Sequence, residues 1–113
     1  MTFVQRLTRD DVVPEVTRPD PAKVLSGDPV HTTWNVETRG NIHAGLWHTT
    51  VGAWRCVYTE WEYVNILEGY SVLTDEEGGT VHLRAGDSWV IRPGFNGIWS
   101  AIEPTLKEYV AVV

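Results

Sequence analysis

The sequence predicts an all-β domain of the jelly-roll or sandwich type. Short runs rich in Val, Ile, Thr, Trp and Tyr follow one another from residue 31 onward, and these side chains suit a pleated, half-buried surface. Turn residues separate the runs, with Gly, Pro, Asp and Glu clustered between them. No apolar stripe of helical period reaches a useful length. Strands this short and this numerous pack as two sheets or a closed roll. The 113 residues suffice for one domain, which buries roughly two-thirds of its unfolded surface and leaves no room for a second core.

The elements follow in order. Residues 8–29 hold Pro14, Pro19, Pro21 and Pro29 together with Asp10, Asp11, Glu15, Asp20 and Asp28, a composition that favours extended chain over helix. Residues 1–29 therefore read as an extended N-terminal arm and 30–113 as the body. Strands are predicted at 31–37, 42–50, 53–59, 61–67, 70–75, 79–83, 88–92, 97–102 and 106–112. Glu68-Gly69 and Asp75-Glu76-Glu77-Gly78-Gly79 offer the left-handed backbone that tight hairpins need, and Pro93-Gly94 breaks the chain between two strands. Trp61 to Leu67 lacks strict alternation, which predicts a central strand covered on both faces. There is no internal repeat.

Charge and composition narrow the partners. A net charge of −6 with nine scattered Lys and Arg residues gives no basic footprint, so no nucleic-acid partner is expected. The first ten residues carry charges instead of an apolar signal core, and no segment approaches the roughly 20 apolar residues of a membrane span. A cytoplasmic protein without a membrane partner is the expectation. The single Cys56 excludes an internal disulfide and fits a reducing compartment.

Two spacings carry the most specific signal. Glu62 precedes Gly69 by seven residues, and Gly86-Asp87 leads through Arg92 into Pro93-Gly94-Phe95. The wider string adds Gly45-Leu46-Trp47, Gly52-Ala53-Trp54, Gly97-Ile98-Trp99 and Lys107-Glu108-Tyr109-Val110. Over residues 44–113 this order resembles the cupins, in particular the small single-domain cupins related to ureidoglycine aminohydrolase and to the ethanolamine-utilisation cupin. The resemblance implies a double-stranded β-helix, or jelly-roll barrel, over 30–113. It also implies a homodimer, to which the arm points as well, because unpaired sheet edges are commonly covered by a partner.

Aligned on Glu62 and Gly69, the two histidines of the first cupin motif fall on Cys56 and Tyr58. Aligned on Gly86 and Gly94, the histidine of the second motif falls on Gly97. Of the four usual metal ligands only Glu62 remains, so no cofactor is expected. A divalent transition metal is the alternative, held by His48, Cys56, Tyr58 and Glu62. His43 and His48 fall on opposite faces of one strand, and His48, sharing a face with Ala44 and Leu46, is taken as the inward one. His31 and His82 read as surface residues.

The candidate pocket comprises Trp54, Cys56, Tyr58, Glu62 and Trp99, with His48 and Arg92 added. Trp54, Cys56 and Tyr58 share strand parity, and Trp99 is placed at the barrel mouth. Glu62 and Tyr58 are the candidate catalytic residues, because desolvation suits a carboxyl group to acid–base work. A structural Glu62 bonded to Tyr58 is the alternative reading. Cys56 reads as a buried, inert thiol, since nothing in the sequence supplies a base beside it. Arg92 offers a partner for a ligand carboxylate.

Three functions follow as expectations. The first is a metabolite-binding cupin with a degenerate metal site and a small polar ligand such as a sugar, a ureide or an amine-bearing compound. The second, implied by the resemblance, is a metal-dependent hydrolase of a ureide or related nitrogen compound. The third is a non-enzymatic scaffold or accessory protein. A kinase-like activity, implied by the resemblance to the ethanolamine-utilisation cupins, is a less favoured possibility, because no strand-to-helix glycine-rich phosphate loop is present.

Overall fold

Alternating inward and outward side chains organise the chain into two antiparallel sheets, seen in a computed structural model that describes residues 3–113. The strands are β1 (Glu15–Thr17), β2 (Val24–Gly27), β3 (His31–Arg39), β4 (Ile42–Thr49), β5 (Gly52–Val57) and β6 (Trp61–Glu68). They continue with β7 (Tyr70–Asp75), β8 (Thr80–Arg84), β9 (Ser88–Ile91), β10 (Asn96–Ala101) and β11 (Thr105–Val112). One sheet has the order β1-β3-β4-β11-β6-β9 and the other β2-β5-β10-β7-β8. The chain crosses between sheets after β1, β2, β4, β5, β6, β8, β9 and β10, which is the winding of a jelly roll. The all-β jelly-roll expectation is met. Among the described residues no helix is long and apolar enough to cross a membrane.

The nine strands expected in the body all form, and the arm adds two that the sequence did not announce. β1 pairs with β3 through Glu15↔Thr33 to Thr17↔His31, and β2 pairs with β5 through Val24↔Trp54 to Gly27↔Gly52. The segment expected as an arm over 1–29 thus supplies an edge strand to each sheet; its residues 1 and 2 lie outside the described residues. Between the two strands Asp20 caps a single 3-10 turn, Pro21–Lys23, by accepting from the Ala22 N–H at 2.9 Å.

Two turn and strand expectations need correction. Glu68-Gly69 does not close a hairpin: it carries the chain from one sheet to the other, with Gly69 at φ +89° and pressed against the Pro104 carbonyl. A β-carbon there would collide with backbone. Strand β6 is central, between β11 and β9, yet it alternates after all. Glu62, Val64 and Ile66 are buried, while Tyr63 and Leu67 are 37% and 38% exposed. Its outer face meets solvent, and its large outward aromatics had masked the alternation.

The core between the sheets is built from Val64, Ile66, Leu73, Leu83, Ile91 and Trp99. Trp47, Cys56, Tyr58 and Phe95 pack against it. Beyond Trp54 and Trp99 the apolar filling gives way to polar side chains, and there the sheets enclose a cavity.

Candidate functional site

Strand register brings the cavity wall together. Trp99 of β10 lies opposite Trp54 of β5, Lys107 of β11 lies opposite Trp47 of β4, and Ala111 of β11 lies opposite Glu62 of β6. Because side chains repeat every two residues, the same face collects Cys56, Tyr109, His43 and, from β3, His31. Tyr58 and Glu60 enter from the β5–β6 connection. The cavity, open to solvent on one side, has a volume of about 450 Å³. Small-molecule pockets span roughly 300–1,000 Å³.

At its centre lies a buried ion pair. The Lys107 Nζ donates to Glu62 Oε1 at 3.1 Å, and the two side chains are only 4% and 9% exposed. The Tyr58 hydroxyl donates to the same oxygen at 3.0 Å. The ammonium also sits 4.4 Å from the Trp47 ring and 4.6 Å from the Trp99 ring, so two indole faces and one carboxylate surround it. Each cation–π contact contributes about 2 kcal/mol when desolvated. Trp54 lies nearly parallel to Trp99, their planes 8° apart, and His31 packs against both Trp47 and Trp54.

Burial sets the protonation of the lining. Desolvation, followed by the charge of Lys107, brings the His31 imidazole from 6.5 down to about 4, which leaves it neutral at neutral pH. Burial pushes the Cys56 thiol up to about 11, so it is a protonated thiol and not a nucleophile. The Tyr58 hydroxyl is held well above its usual range by burial and then by the Glu62 charge. Burial, then the Glu62 charge, raises Glu60 as well. Tyr109, raised to about 12 chiefly by burial, donates to Asn35 Oδ1 at 2.8 Å.

Two polar atoms of the lining have no partner. His31 Nε2 and Trp99 Nε1 are the buried side-chain nitrogens without a hydrogen bond among the described residues, and both residues border this cavity. Such atoms carry a desolvation cost of about 1–3 kcal/mol each unless a water or ligand meets them.

Of the residues expected from sequence, Trp54, Cys56, Tyr58, Glu62 and Trp99 line this one cavity. Trp99 is not at the mouth, being 2% exposed. His48 is not part of the lining: β4 presents His43 and Trp47 inward, so His48, Ala44 and Leu46 face the other way. Leu46, apolar and buried, gives this face of β4 the sequence signature of an inward one. It is buried on the outer face, where its cross-strand partner Trp34 carries the Arg9 guanidinium of the N-terminal segment 5.4 Å above its ring. Arg92 lies elsewhere, on a second cavity of about 300 Å³ with Leu73, Val81, Trp89 and Phe95. His31, expected at the surface, is in the cavity, whereas His82 is exposed and stacks on Tyr70. Lys107 enters the sequence reading only within the Lys107-Glu108-Tyr109-Val110 string and not as a site residue; the available signal is its parity with Tyr109 and Ala111.

A model of the EutQ-like cupin domain matches residues 36–109. The chain belongs to the EutQ-like cupin family. Among solved structures it is similar to a protein of unknown function of the DUF861 family from Pseudomonas syringae pv. tomato. There the TM-score is 0.82 and the identity 24%, over 94% of this chain and 46% of that one. It is also similar to the EutQ protein of Clostridium difficile, with a TM-score of 0.68 and 16% identity over 74% of this chain and 63% of that one. A third similar structure is a DUF861 family protein from Thermotoga maritima, with a TM-score of 0.57 and 29% identity over 58% and 75% of the two chains. The chain thus spans less than two thirds of the first two structures it resembles. No curated protein matches it significantly.

The residues of this EutQ-like cupin do not suit the divalent metal that cupin barrels commonly hold. No group of three His, Cys, Asp or Glu side chains among the described residues converges on a point. Cys56 keeps its proton, Tyr58 is hydrogen-bonded as a donor, and Glu62 is engaged by an ammonium. At Gly97 a β-carbon would run into the Thr74 carbonyl, with the Phe95 ring 2.9 Å away, so the missing imidazole has no space.

Proposed function

We propose that this chain is a metabolite-binding cupin whose barrel is organised around the Lys107 ammonium in place of a metal ion. The Glu62–Lys107 pair carries the reading, since it puts an internal cation, with its counter-ion and an aromatic surround, beside a cavity of ligand size. The ligand it fits is small, neutral and polar. Glu60 and Glu62 outnumber Lys107 around the cavity, which disfavours an anion, and the unpartnered nitrogens of His31 and Trp99 suit hydroxyl or carbonyl groups. Melting-temperature shifts with a panel of neutral polyols, amides, ureides and hydroxy-carbonyl compounds test it. Stabilisation of the wild type that is lost in Trp99→Leu supports the reading, and no shift from any compound at millimolar concentration counts against it.

A hydrolytic role of the ureidoglycine aminohydrolase type has one supporting observation. Tyr58, Glu62 and Lys107 form a continuous hydrogen-bonded chain able to accept and return a proton. In that reading Glu62 is the acid–base group, and Glu62→Gln abolishes ammonia release from a ureide. Unchanged turnover in the variant removes Glu62 from the chemistry.

A further inference from the structure

Lys23 and Lys107 are the two lysines of the chain, against seven arginines. One of the two is 3% exposed inside a cavity. Lysine is almost never fully buried unless paired, and here Glu62 is the partner. A buried cation whose only task is to hold Glu62 is better supplied by arginine, with its planar fork and weaker hydration. What lysine adds is a primary amine that can give up its proton and form a bond to carbon.

We propose that Lys107 forms a reversible iminium linkage with a small neutral aldehyde or ketone bearing a hydroxyl group. The inference rests on the cavity being a ligand site. Glu62, 3.1 Å from Nζ, takes one proton and leaves a neutral amine. The nitrogen lone pair attacks the carbonyl carbon, and the Glu62 carboxylic acid protonates the oxygen as the C–O π bond opens. Glu62 then removes a second proton from nitrogen and returns it to the hydroxyl, which departs as water while the C=N bond forms. One ammonium and one carbonyl become one iminium and one water, with no change in oxidation state and no net change in charge.

That constancy of charge meets the obvious objection. Trp47 and Trp99, at 4.4 and 4.6 Å from Nζ, and Glu62 hold the ammonium in place, but they hold an iminium at the same atom equally well. The surroundings therefore oppose only the transient neutral amine and not the overall exchange of ammonium for iminium. Tyr58, donating to Glu62 Oε1 at 3.0 Å, positions the carboxyl group that shuttles the proton. The hydroxyl requirement comes from the lining: His31 Nε2 and Trp99 Nε1 are buried without partners. The excess of carboxylates argues against a keto acid.

The test uses the full chain, glycolaldehyde as the probe and sodium cyanoborohydride to trap the linkage, read by peptide mass mapping. Lys23 and the terminal amine are internal controls. The expected result is one hydroxyethyl group on Lys107, added about tenfold or more faster than on Lys23, because the cavity raises the local concentration of a bound carbonyl. Lys107→Arg, which keeps the charge beside Glu62, leaves only the slower labelling. Labelling confined to Lys23 and the terminus, or equal at all amines, overturns the inference. Melting shifts measured without reductant separate the two readings. Ethane-1,2-diol and glycolaldehyde that both stabilise the fold while Lys107 stays unmodified sink the linkage and spare the binding site; neither stabilisation nor labelling sinks both.

Discussion

Lys107 and Glu62 hold each other's charge in a place with little water, and removing one leaves the other stranded. Lys107→Met is expected to lose about 3–5 kcal/mol of stability in urea unfolding. The double variant Lys107→Met with Glu62→Gln recovers more than half of that loss, because a neutral amide no longer demands a counter-ion. A second expectation concerns pH. His31 binds its proton at about 4 when folded and near 6.5 when unfolded, so between those values the unfolded chain takes up more protons. Its contribution is complete above pH 6.5 and is lost as the pH falls toward 4. His48, lowered chiefly by its own burial, acts in the same direction. The readout is therefore a flatter stability profile in His31→Gln than in the wild type across pH 4 to 6.5. Parity along β5 and the Glu62 spacing made Trp54, Cys56, Tyr58 and Glu62 legible in the sequence. Lys107 was not, because a charged residue within a strand ordinarily faces water, and only the facing indoles and Glu62 show why this one does not.

At the scale of elements, the nine body strands could be read because β-branched and aromatic runs are punctuated by turn residues. β1 and β2 could not, since their proline-bearing segment has no alternation and becomes strand only by docking on the β3 and β5 edges. The faces of β4 are hard to tell apart in sequence for a related reason: Leu46 is buried on the outer face beside Trp34, so apolar residues mark both sides. The corners between sheets also have a sequence trace in their glycines. Gly69, at such a corner, and Gly78, in the β7–β8 hairpin, share a φ of +89°, yet only Gly69 faces backbone, the Pro104 carbonyl, while Gly78 faces open space. Gly69→Ala is therefore expected to cost at least about 1 kcal/mol more than Gly78→Ala, the excess being the steric part. Equal losses in the two variants would mean that the corner relaxes freely.

For the whole molecule, the order of elements fits a small cupin in which the N-terminal strands close one edge of each sheet, while β9 and β8 form the opposite edges. Among the described residues no further strand pairs with those edges, and Trp89 and Val90 on β9 are 37% and 40% exposed. We propose a homodimer, for which light scattering should return about twice the 12.7 kDa chain mass across a dilution series. A constant single-chain mass would contradict it. The central claim is that the Lys107 ammonium, and not a metal ion, is the cation of this barrel. Elemental analysis of protein purified without chelating resin, paired with melting curves before and after EDTA, tests it most directly. The account predicts far less than one transition-metal ion per chain and an unchanged melting temperature; one ion per chain whose removal lowers that temperature would contradict it.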